Sequence, residues 1–301
     1  MALTSLREDA VRPAVVAILA GSLALSFGDA LIKLTSSSFV IWQIFVLRSA
    51  LAIPVLLAAF ALRPGRVGIL PSKFGWTALR SLLLVVMWVC YYASLPHLDL
   101  ALAAAMFYTI PIFLALMSMA FIGERISRNG WIAIFLGFGG VLLILRPSAS
   151  DFNWFALLPV AAAALYASAM IITRTKCRTE NPLTLALALH VSFIAVGAVA
   201  TIWLKLQQDS GQTGFLAAPW STMDSAAWMA MSVLAIAALV GSILTAYAYQ
   251  NAPPSLVGTF DFSYVAFAIL WGILFFSEIP DIVSGVGIVA IVAAGVLAVL
   301  Q

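Results

Sequence analysis

The sequence predicts an all-α polytopic membrane protein of ten transmembrane helices, arranged as two inverted five-helix repeats, on three observations. Of its 301 residues, 64% are apolar and 9% charged, against a soluble norm of roughly 45–50% apolar and about 25% charged, and the mean hydropathy is +1.10. The apolar residues gather into ten runs of bilayer-crossing length. The second five runs repeat features of the first. No β-barrel alternation appears, and lipid-exposed backbone must satisfy its hydrogen bonds within the segment, so the spans are helical.

The chain opens on MALTSLREDAVRP, polar and mixed in charge, without the small-residue cleavage pattern of a signal peptide. A retained first helix is expected from 13 to 34. Further spans follow at 39–62, 74–95, 99–121, 130–145, 152–173, 183–204, 225–251, 255–277 and 282–300, each bounded by polar or Pro/Gly breaks. The fifth and tenth are short. An even number of spans places both termini on one side, together with Arg7, Arg12, Arg63, Arg66, Lys73, Arg125, Arg128, Arg174, Lys176 and Arg178. The other side has little beyond Lys33, Arg146 and Lys205. Lys/Arg excess marks the cytoplasmic face, so both termini are expected in the cytoplasm, from a bacterial-type inner membrane.

The repeat is visible in two places. ALSFGDALIKL of the first span lies against ALYASAMIITR of the sixth, and ALAAAMFYTIPIF of the fourth against SLVGTFDFSYVAF of the ninth. A Gly123-Glu124 step follows the fourth span and a Ser277-Glu278 step the ninth. Two five-span units result, residues 1–150 and 151–301. Five is odd, so the second unit enters the membrane with opposite orientation. That architecture is common in secondary transporters, whose cargo site lies between the halves near the midplane.

Four segments carry a family resemblance: Arg48 within FVLRSALA, Gly123-Glu124-Arg125, Leu145-Arg146-Pro147, and AYAYQNAPPSLVG across the eighth and ninth spans. Together they make the chain resemble the drug/metabolite transporter superfamily, in its EamA-type ten-helix branch, and within it the bacterial aromatic amino-acid exporters of the YddG type. The resemblance implies a basket around a central cavity, with spans one to four and six to nine lining it and five and ten at the edges.

An ionisable group in the bilayer core demands a partner, water or a function. Asp29 and Lys33 are four apart on the first span, which suits either an internal ion pair or cavity lining. Arg48, about ten residues into the second span, can hold a carboxylate with its planar fork or tie down neighbouring backbone or an acid such as Asp29. The repeat places His190 of the seventh span near the position corresponding to Arg48, as a packing residue or a proton relay. Asp261, whose counterpart is Phe107, suits a cargo ammonium group, but also protonation or pairing with His190. His97 and Asp99 read as helix caps at an outer turn.

Aromatic residues crowd the presumed lining helices: Trp42, Trp88, Tyr91, Tyr92, Phe107, Tyr108, Tyr166, Tyr247, Tyr249, Phe260, Phe262 and Tyr264. Their faces suit planar apolar cargo and cations. Pro111, Pro159, Pro253 and Pro254 interrupt or end helices, and Gly137, Gly139 and Gly140 suggest close helix packing.

The chain has no HExxH, no GxSxG triad order and no phosphate-binding GxxxxGK[ST], and only two histidines. Cys90 and Cys177 make neither a disulfide framework nor a metal site. A monomeric, non-enzymatic secondary carrier is therefore expected, with no cofactor, no metal and no nucleic-acid partner, working in the lipid bilayer on a small-molecule substrate. Amino acids, aromatic ones preferred through the resemblance, are the first expectation. Arg48 or Lys33 would hold the carboxylate and Asp261 or Asp29 the ammonium. Other metabolites or cationic drugs are the alternative cargo, and an intramembrane enzyme or sensor using Asp261 and His190 is the alternative class.

Overall fold

A computed structural model describes residues 2–35, 39–62, 69–94, 97–98, 103, 106–146, 154–206, 216–277 and 281–299, with backbone alone for 2–10, 32–35, 276 and 299. Arg63, Arg66, Asp99, Pro147 and Glu278, and the side chains of Arg7 and Lys33, lie outside the described residues. The secondary structure is helical throughout: α1 (Ala2–Thr35), α2 (Ile41–Ala61), α3 (Phe74–Ser94), α4 (Ile110–Met117), α5 (Arg128–Leu145), α6 (Leu157–Thr175), α7 (Pro182–Leu206), α8 (Ser225–Asn251), α9 (Pro254–Asp261), α10 (Ser263–Phe276) and α11 (Ile282–Val299). A π-helical turn, Ser118–Ile122, extends α4, and a 3-10 turn, Trp154–Ala156, leads into α6. Among the described residues, eight helical stretches are long and apolar enough to cross a membrane, and two shorter apolar ones, Ile110–Ile122 and Ile282–Ala298, bring the total to ten.

Most spans start and stop within two residues of their expected positions, with three differences. Helix already begins at Ala2, so α1 incorporates the polar start. The ninth span is two helices, α9 and α10, meeting at Phe262. The fourth span is also interrupted, at Tyr108–Thr109. There the cause is local: Pro111 offers no N–H to the carbonyl four residues back and its ring crowds it. Thr109 compensates by donating its hydroxyl to the Met106 carbonyl at 2.6 Å. Pro254 heads α9, where a missing N–H costs nothing.

Successive spans run antiparallel, and contacts at their tips define two ends. One end gathers the start of α3, the α6–α7 loop and the end of α8: Glu180 accepts the N–H groups of Ser72 and Lys73, and the Gln250 amide donates to the carbonyls of Cys177 and Glu180. Val11, Ala133, Leu256 and Ala298 pack together there, so the start of α1 and the end of α11 share this terminus end. At the opposite end Trp42 and Gln43 of α2 bond to Leu216 and Ser221 ahead of α8, and Arg146 pairs with Asp281.

In lipid, helices gain little from apolar burial against one another, so small residues that allow close approach carry the packing. A close crossing joins α5 to α11, where a Cβ on Gly140 would sit 2.7 Å from the Gly287 carbonyl oxygen and one on Gly287 2.7 Å from that of Gly140. Gly137 is filled by the Phe262 ring. Gly139 differs from the expectation: a Cβ there would meet nothing within 4 Å outside its own helix. The outer face of α11 is a stripe of exposed Val283, Val286, Val289 and Val296, suited to lipid.

Candidate functional site

The interior of the bundle holds two clusters of polar groups. The first joins α1, α2, α3 and α10. Arg48 is 9% exposed and lies over two rings, its guanidinium carbon 4.9 Å from the Phe193 centroid and 5.6 Å from that of Phe45. Its Nε has no hydrogen-bond partner, and among the described residues no carboxylate comes within ion-pairing distance. Asp29 is within electrostatic reach of Arg48, Tyr91 and Tyr92 but accepts its hydrogen bond from the Tyr264 hydroxyl. Trp271 of α10 ties the same face of α1 through Ser26 at 3.0 Å.

The second cluster lies on α6, α8 and α9. The Asp261 carboxylate accepts from Tyr249 at 2.5 Å and from Tyr166 at 3.3 Å, both on Oδ2. The two tyrosine rings meet edge to face, centroids 6.2 Å apart. Tyr108 connects the clusters, within electrostatic reach of both Asp29 and Asp261.

An aromatic wall runs along α3 and the fourth span. Trp88 stacks on Tyr92 at 5.2 Å; Tyr91 meets Tyr92, then Phe107 at 4.8 Å; Phe107 meets Tyr108, and Tyr108 meets Tyr264 at 5.8 Å. Six residues singled out from the sequence thus form one continuous surface beside Asp29. Offset and edge-on contacts of this kind suit a planar guest.

The remaining candidates separate from these groups. Trp42 donates its indole N–H to Leu216 at 2.8 Å and closes the opposite end. His190 sits against α2 with Nδ1 3.1 Å from the Ser49 hydroxyl and Nε2 unpartnered, and is not the partner of Asp261. Tyr247 is half-buried in the main core, and Tyr249, two residues on, takes the contact with Asp261. Lys33 lies on α1 with its side chain outside the described residues. His97 stacks on Phe155 at 3.7 Å.

Sequence reasoning misses Arg80. It is 2% exposed on α3, donates from Nε to the Thr173 hydroxyl at 2.7 Å, and leaves Nη1 without a partner. The signal that marks Arg48, a guanidinium well inside an apolar run, marks Arg80 equally.

Comparisons with known proteins agree with this architecture. Residues 12–146 match the EamA-like transporter family. Similar proteins include the pseudopaline exporter CntI of Pseudomonas aeruginosa, 25% identical over 95% of both chains. They also include the riboflavin transporter of Rhizobium johnstonii, 28% identical over 69% of this chain and 65% of its own. A solved crystal structure aligns with 97% of both chains at a TM-score of 0.77 and 18% identity, a likeness of fold. Residues 12–146 are thus similar to the EamA-like transporter family, and the similar proteins are named as an exporter and a transporter of metabolites.

Proposed function

We propose that this protein is a secondary transporter of small amphipathic metabolites, with amino acids as cargo and aromatic ones preferred. The observation that carries the reading is Arg48: a buried guanidinium, backed by Phe193 and Phe45, with an unused N–H and no carboxylate counter-ion among the described residues. Burying a charge without a partner is expensive, and a cargo carboxylate would supply one. Asp29 lies within reach to receive the ammonium group, and the wall of Trp88, Tyr91, Tyr92 and Phe107 to receive the ring.

Two five-helix repeats, residues 1–150 and 151–301, account for the packing pattern. α1 packs on α8 as α6 packs on α3, while α2 packs on its counterpart α7 and α5 on its counterpart α11. The fourth and ninth spans break at matching residues, Tyr108–Thr109 and Phe262, and both end in a left-handed residue, Gly123 and Ser277. Rocking of inverted halves about these discontinuous helices would give alternating access. The Lys/Arg excess puts the terminus end in the cytoplasm.

Counterflow of labelled phenylalanine into proteoliposomes preloaded with unlabelled phenylalanine tests the reading. Saturable counterflow, competed by tryptophan and tyrosine, is expected; no counterflow with any amino acid refutes it. The relatives named for pseudopaline and riboflavin favour a second reading, another metabolite on the same path. With a cationic cargo, loss of Asp29 or Asp261 would abolish flux and loss of Arg48 would not.

A further inference from the structure

We propose that a second cargo-binding station, made by Arg80 of α3 and Asp261 of α9 with Tyr166 between them, lies toward the terminus end, and that cargo passes between it and the Arg48–Asp29 station. The inference rests on the amino-acid reading above. It starts from depth. Arg80 is six residues past Phe74 and Asp261 seven past Pro254, which at helical rise puts both about 9–10 Å in from the terminus end. Arg48 is seven residues past Ile41 and Asp29 six before Thr35, about 9–10 Å in from the opposite end. In a hydrocarbon core about 30 Å thick, the two couples occupy different levels.

Each couple has the same composition. Arg80 has a free Nη1, and no carboxylate among the described residues pairs with it. Its Nε bond goes to a Thr173 hydroxyl already committed to the Ala169 carbonyl, so that contact orients the guanidinium without neutralising it. Arg80 and Tyr166 are within electrostatic reach of each other, and Tyr166 donates to Asp261. Both tyrosine bonds to Asp261 fall on Oδ2, leaving Oδ1 for another donor. A ligand carrying only an anion would meet Asp261, and one carrying only a cation would meet Arg80. A zwitterion satisfies both, its carboxylate on the guanidinium and its ammonium on Oδ1. Tyr108, within reach of Asp29 and Asp261, marks the step between levels.

The test is sidedness. Uptake of labelled phenylalanine is measured in membrane vesicles of both orientations, for wild type, Arg80→Gln, Arg80→Lys and Arg48→Gln, per folded molecule. Arg80→Gln removes charge-assisted hydrogen bonds, so the half-saturating concentration from the terminus side should rise at least about tenfold while that from the opposite side stays within about twofold. Arg48→Gln should give the mirror image. Arg80→Lys, which keeps the charge but not the fork, should shift the terminus side in the same sense. Absence of saturable wild-type flux refutes the amino-acid reading itself. Wild-type flux with Arg80 variants that shift both sides equally, or neither, overturns the second station alone. If Arg80→Gln does not fold, Arg80→Lys decides; failure of both to fold assigns Arg80 to the bundle's structure and overturns the station.

Discussion

Substituting Gly140 by alanine perturbs a close backbone-to-backbone helix crossing, and its cost can be worked from the geometry. The new methyl would lie 2.7 Å from the Gly287 carbonyl oxygen, 3.0 Å from Ile291 Cγ1 and 3.2 Å from Ala290 Cβ. The first neighbour is backbone and cannot rotate aside. Reaching ordinary contact at 3.4 Å requires α5 and α11 to part by about 0.7 Å, a gap that forfeits a quarter to a half of each lost dispersion contact. Overpacking of this kind costs about 1–3 kcal/mol. Gly139→Ala is the internal control, since its new methyl would meet nothing within 4 Å outside its own helix. Melting temperatures of the purified variants in detergent should show Gly140→Ala several degrees below wild type and Gly139→Ala level with it. Flux per folded molecule should be unchanged in both, because neither helix contributes to the two polar clusters. If Gly139→Ala destabilises and Gly140→Ala does not, the crossing is misplaced and the packing account fails.

Three further outcomes follow from the same structure. Ser277 holds a left-handed φ of 54° without being glycine, so Ser277→Gly should raise stability by about 1 kcal/mol, whereas Gly123→Ala at the matching φ of 73° should lower it; melting curves check both signs. Tyr249→Phe removes a donor to a buried carboxylate, which should cost about 1.5–3 kcal/mol and weaken phenylalanine uptake, while Tyr247→Phe should do neither; the reverse ranking would move Asp261 out of the site. The Arg146 hydrogen bond, helped by the Ser284 N–H, holds the Asp281 carboxyl below the usual carboxylate range. Its contribution is therefore complete above about pH 4 and fades only as pH falls through the lower native value. Because the pair is exposed, Asp281→Asn should change the melting temperature little at pH 7 and not at all in strong acid.

The spans were legible because length and hydropathy alone decide them, and α2, α3 and α8 stand within two residues of the expected bounds. The break in the fourth span is readable from Pro111. The break at Phe262 is not, since no proline marks it. Arg48 and Asp261 announce themselves as charges in apolar runs, and so does Arg80. What the sequence does not carry is rotation. Tyr247 and Tyr249 are two residues apart, about 200° around a helix, so only one can face Asp261. In a helix apolar on every side, periodicity does not say which. The same indeterminacy hid the split between Gly139 and Gly140, and let His190 stand as a partner for Asp261 when it packs against Ser49 instead.

The central claim is that Arg48 receives a cargo carboxylate, and a cargo-by-variant cycle tests it most directly. Uptake from the side opposite the termini, of phenylalanine and of phenethylamine, which has the ring and the amine but no carboxylate, is compared in oriented membrane vesicles of wild type, Arg48→Lys and Arg48→Gln, per folded molecule. Wild type should prefer phenylalanine by about tenfold or more in half-saturating concentration, the worth of one charge-assisted contact. Arg48→Lys should lose most of that preference, because an ammonium cannot reproduce the bidentate fork, and Arg48→Gln should lose all of it. A preference that survives intact in folded Arg48→Gln would contradict the account.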